Sequence, residues 1–140
     1  MKHQLTMLSM ACGLLCLFGT GASAQSSYRL ASDVPFAFHV GEENCASGQY
    51  TIEKSAAHAY QIMRGQEGCS FLLGYGIPLS GKSQPKLVFH RYHDQYFLSE
   101  IWSGNGTGSR LSISKREQEV REQAQPSETA ITTLYLMSKR

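Results

Sequence analysis

Apolar and polar residues alternate in short runs along most of this chain. In VPFAFHV (34–40), Val34, Phe36, Phe38 and Val40 fall on one side, and Pro35, Ala37 and His39 fall on the other. Period-two alternation predicts a half-buried β-strand. Pro35 puts its start at an edge or strand entry, because proline cannot donate to a ladder. The polar run QSSYRLASD (25–33) before it reads as a lead-in. QYTIEK (49–54), AYQIMR (59–64) and CSFLLG (69–74) repeat the strand signature, with GEENCASG, residues 55–58 and GQEG as turns between them. Residues 74–85 carry Gly74, Gly76, Pro78, Gly81 and Pro85 and read as a loop.

The next stretch, KLVFHRYHDQYFLSEIW (86–102), predicts a hairpin of strands 86–92 and 95–102, with His93-Asp94 as its two-residue connection. Such connections favour positive φ, which His and Asp tolerate better than most residues with a side chain. The simple register pairs Arg91 with Tyr96, His90 with Phe97, Phe89 with Leu98, Val88 with Ser99, Leu87 with Glu100 and Lys86 with Ile101. Large apolar groups then lie on both faces, so the hairpin is expected to be central and covered on both sides over part of its length.

SGNGTGS (103–109) reads as a glycine loop. Ser114 and Glu117 have capping-box spacing, so a helix is expected over about 115–124, ended by Pro126. Its apolar residues are only Val120 and Ala124, which makes it a surface helix with a narrow contact. Glu117 and Arg121 are spaced for an i,i+4 pair. ETAITTLYLM then predicts a last strand over about 129–137. Together these elements predict an all-β, mainly antiparallel domain: a small β-sandwich or barrel of about seven strands with one late surface helix.

The first 24 residues change the picture of where the protein acts. Lys2 and His3 precede the apolar run MLSMACGLLCLF (7–18), which leads to Ala22-Ser23-Ala24. This is the pattern of a secretory signal cleaved after Ala24. The run is short of the roughly 20 residues needed to span a bilayer. The expected mature domain is 25–140, exported to the periplasm or secreted, with no transmembrane segment. Charge adds little: 13 basic residues, Lys2 among them, face 11 acidic ones. That balance gives no field to steer nucleic acid. Cys12 and Cys16 leave with the signal, so Cys45 and Cys69 form an even pair in an exported chain and are expected to be a disulfide. No CxxC redox motif is present.

The candidate chemistry is sparse. His90, His93 and Asp94 invite a metal reading, but strand positions three apart point to opposite faces, and no HExxH or CxxC pattern completes a site. Asp94 and Glu100 are six residues apart, about 20 Å along a strand, too far for a glycosidase pair. Both are expected to be solvated or, for Glu100, paired with a base on a neighbouring strand. Tyr92, Tyr96, Phe97 and Trp102 read as packing or cross-strand groups rather than a ligand platform. No catalytic, cofactor-binding or metal-binding residue is assigned. His90, His93, Asp94 and Glu100 stay as weak functional candidates.

VPFAFHVG, ASGQYTI, KLVFHRYHDQYFLSEIW and the SKREQE helix start occur in the order seen in a family of small exported bacterial β-rich proteins. The chain resembles that family over most of residues 25–140, most specifically in the central hairpin. The resemblance implies an exported β-rich domain and carries no activity, cofactor or site residue. The family pattern has glycine where this chain has His93, which implies a turn requirement there. It has an apolar residue where this chain has Cys45.

The expected function is therefore non-enzymatic: binding or support of a protein or other partner in the cell envelope or outside the cell. The alternative is a small-ligand carrier with a barrel cavity. The weakest class is a hydrolase-type enzyme using His90.

Overall fold

The structure, a computed structural model, describes residues 29–78, 83–104 and 106–138. The expected signal segment and the side chain of Cys69 lie outside the described residues. Eleven strands form one connected sheet: β1 (Arg29–Val34), β2 (Phe38–Val40), β3 (Glu43–Cys45), β4 (Gly48–Ala56), β5 (Ala59–Arg64), β6 (Glu67–Pro78), β7 (Lys86–Tyr92), β8 (Gln95–Trp102), β9 (Thr107–Leu111), β10 (Thr129–Tyr135) and β11 (Met137–Ser138). Helix α1 (Lys115–Gln123) and a single 3-10 turn (Pro126–Glu128) separate β9 from β10. This is the expected β-rich domain with one late helix.

The strand order is β10-β7-β8-β9-β6-β5-β4-β1-β11. Its two ends are successive pieces of one segment. β10 pairs with β7, and after Leu136 the chain continues as β11 against β1. The opposite corner is made by β6. Its first half pairs with β5 and its second half with β9, the change falling at Gly74. Two corner segments thus fold the sheet round on itself into a sandwich-like body.

Alternation works here because one face of nearly every strand is interior. Leu30, Val34, Phe38, Tyr50, Ile52, Ile62, Leu87, Phe89, Leu98 and Ile101 form the core. Phe36 packs on its margin, edge-on to Phe89 and stacked at 3.9 Å on Tyr96. Phe89 is fully buried; burial of such a side chain contributes about 2–3 kcal/mol.

Five expectations are corrected. The turn expected over GEENCASG contains β3. The lead-in 25–33 contains β1, a central strand between β4 and β11. Ser32 is a buried polar residue between Leu30 and Val34, and it hid the alternation. The run 34–40 is not one strand, because the chain leaves the ladder at Pro35 and re-enters as β2. The loop 74–85 is strand as far as Pro78. Its glycines serve close approach: a Cβ at Gly74 would stand 2.9 Å from the Arg110 carbonyl oxygen, and one at Gly76 would stand 2.7 Å from the His58 ring. The loop 103–109 likewise turns into β9 at Thr107, with Gly108 beneath the Trp102 ring.

Candidate functional site

The central hairpin builds the site. Its turn is at His93, with φ at 55°. The His93 N–H donates to the Glu128 carbonyl at 3.3 Å, and its Nδ1 lies 3.2 Å from the Glu128 carboxylate. Arg91 Nε donates to the His93 carbonyl at 2.7 Å. From the turn back to Phe89↔Leu98 the register is the simple one. It then slips, so that Val88 faces Glu100, Leu87 faces Ile101 and Lys86 faces Trp102. Ser99 is the extra residue of a β-bulge. The expected pairs of Val88, Leu87 and Lys86 are therefore each corrected by one residue. A bulge re-aims a side chain and is common beside functional sites.

Here it aims Ser99 at His90. Ser99 Oγ lies 3.1 Å from His90 Nε2. On the other side of the ring, His90 Nδ1 lies 2.7 Å from Glu117 Oε1. The Tyr92 hydroxyl donates to the same carboxylate oxygen at 3.3 Å. A carboxylate only accepts, so Nδ1 carries a proton, and in the neutral tautomer Nε2 presents its lone pair. The Ser99 hydroxyl then donates to Nε2. Glu117 is 4% exposed and Ser99 4%, while the His90 side chain is 30% exposed. Tyr92 has its pKa pushed up, first by burial and then by the Glu117 charge beside it.

Helix α1 supplies Glu117. Ser114 caps it, accepting from the Glu117 N–H at 3.1 Å. Only half of the expected capping box forms. The Glu117 side chain turns away from the cap and under the helix to His90. Glu117 is the buried residue of α1, so a carboxylate makes the contact that Val120 and Ala124 were expected to make. Of the charged pairs along the helix, Lys115 and Glu119 approach at 3.9 Å.

Around this relay runs one row of side chains across four strands. His39 registers with Phe97, Phe97 with His90, and His90 with Ile131. His39 stacks on Phe97 at 4.7 Å, and its Nδ1 is buried without a hydrogen-bond partner. Its pKa is lowered, first by burial and then by the Arg116 charge, with Glu42 opposing. At the end of the row Ile131 is 71% exposed.

The other candidates separate. His93 is a turn residue held by Glu128 and does not join His90. Asp94 lies beside it, on a shallow hollow shared with Arg91, Ser127 and Glu128. Of the two expectations for Glu100, the paired one holds: Arg110 on the next strand donates to it at 2.9 and 2.7 Å, and the Trp102 indole at 2.9 Å. No group of three metal-ligating side chains occurs among the described residues. A further polar contact, not anticipated from sequence, joins His58 Nδ1 and the Tyr60 hydroxyl to Ser109 Oγ, each at 3.0 Å.

Sequence reasoning missed Ser99 and Glu117 as partners of His90, and Tyr92 as a second donor to Glu117. One signal was available. A helix with two small apolar residues has to be attached by something else, and Glu117 sits on its first turn. No protein-family model, curated protein or solved structure matches the chain.

Proposed function

We propose that this chain is an exported domain that binds an extended segment of an envelope or extracellular protein along strand β10. The observation that carries the reading is the character of that strand. TAITTLY has no charge and no proline. It is paired along its whole length to β7, and no described strand pairs with its other edge before Met137. Edge strands are usually blunted by lysine, proline or a bulge, and none of these is present. Ile131 and Tyr135 stand on its outer face, 71% and 66% exposed. A docking strand would take backbone hydrogen bonds from the edge and place alternate side chains beside these two. The occupant is a strand of low charge, since β10 offers none to pair.

Carriage of a small ligand has less support. Phe38, Leu87, Phe89 and Leu98 fill the interior that a carrier would leave hollow, and Phe36 packs against them.

The test uses the mature domain as bait in extract from its own envelope and medium, beside T133P and I131K variants. A partner is expected that wild type retains, both variants lose, and whose binding slows amide exchange at 129–135. Partners held equally by all three proteins, or protection elsewhere with β10 unchanged, would sink the proposal.

A further inference from the structure

Ser99, His90 and Glu117 stand in a line, and the line has a chemical sense. A serine hydroxyl donates to one ring nitrogen, and a buried carboxylate fixes the tautomer at the other. This is the arrangement that activates a nucleophile, recognised by geometry and role rather than by sequence spacing. α1 is attached through Glu117, which holds His90 and Tyr92, and through the Lys115 N–H, which donates to Glu42. Ser99 makes no direct contact with α1, yet the bulge turns Ser99 onto the other ring nitrogen. The imidazole is the most open of the three groups, and Ile131 stands exposed beside it on β10. That lip suits a short apolar acyl group approaching from the solvent side.

We propose that Ser99 is a nucleophile that accepts an acyl group from small activated carboxylic esters. Ser99 Oγ attacks the ester carbonyl carbon, and its proton passes to His90 Nε2. Glu117 stabilises the imidazolium through Nδ1–H. The carbonyl–alkoxy bond breaks, and the departing alkoxide takes the proton from Nε2 and leaves as the alcohol. Water then attacks the Ser99 ester and gives its proton to Nε2. That proton returns to Ser99 Oγ as the carboxylic acid is released. No oxidant or further reactant is needed.

The groups facing the ring are Glu117 from α1, Tyr92 from its own strand and Ser99 from β8, with His39 and Arg116 beyond Phe97. The test treats the folded mature domain with p-nitrophenyl acetate, follows p-nitrophenol release, and locates the acetyl group by peptide fragmentation. Acetylation at Ser99 is expected, slower by about 10²–10⁴-fold in H90Q and absent in S99A. It should also slow in E117Q. If H90Q does not fold, S99A and E117Q decide. No acetyl group on Ser99 of the folded protein, or acetylation there at an unchanged rate in H90Q or E117Q, overturns the proposal.

Discussion

His39 shows how a single buried ring sets a pH limit on this fold. It is 7% exposed, is stacked on Phe97, and has its pKa lowered from the ordinary value of 6.5, chiefly by burial. The folded state therefore holds the ring neutral where the unfolded chain would protonate it. Below pH 6.5 the unfolded state binds the extra proton, so stability present above that pH is lost as the pH falls toward the folded value. Denaturant midpoints measured from pH 7.5 to 5 should show this fall. The H39Q variant should show a shallower one, because the titrating group is gone. An unchanged slope in H39Q would mean that other groups set the acid limit.

At the scale of elements, α1 depends on a polar anchor. Its mean hydropathy is low and Glu117 is the residue it buries. Replacing Glu117 by alanine removes a charge-assisted contact and leaves the Tyr92 hydroxyl without its acceptor. The expected cost is about 1–3 kcal/mol, read from urea denaturation, with faster amide exchange confined to 115–123. Gly108 makes a second element-scale case. A Cβ there would lie 2.6 Å from the Trp102 ring, and Trp102 is held by its hydrogen bond to Glu100. Gly108→Ala should cost about 1–3 kcal/mol by overpacking, measured in the same way. These two elements also show what was legible. The hairpin, its turn at His93, α1 and the last strand follow from alternation, positive-φ tolerance and capping, all of which are local. The bulge at Ser99 is a one-residue slip between strands and leaves no trace in either strand's own pattern. The glycines at 74, 76 and 108 look like loop punctuation, because what they make room for is distant in sequence. Glu117 looked like half of a capping box, because the cap is local and His90 is not.

At the scale of the whole molecule, the fold is held by two corners and a small hairpin. β2 and β3 form a three-residue ladder that joins the main sheet through a single parallel pairing, His39 with Phe97. A unit that short is marginal alone, yet it delivers Phe38, Val40 and Cys45, each 1% exposed, to the interior. β3 also lies against β6, the strand that carries Cys69 in sequence. We propose that a Cys45–Cys69 disulfide joins the hairpin to that corner strand. Such a bond closes a loop of about 25 residues and should contribute roughly 3–4 kcal/mol through the unfolded chain's entropy. Domains of this size carry only about 5–15 kcal/mol in all. Reduction, or C45A with C69A, should therefore lower the melting temperature by several degrees or more. The intact mass under non-reducing conditions should be two hydrogens below the reduced value, with one peptide pair linked. Two alkylatable thiols in protein trapped directly from its native source, without reductant, would refute the bridge. The hairpin would then depend on packing and one pairing alone, and alkylation at Cys45 should loosen β2 and disturb the His39–Phe97–His90 row with it.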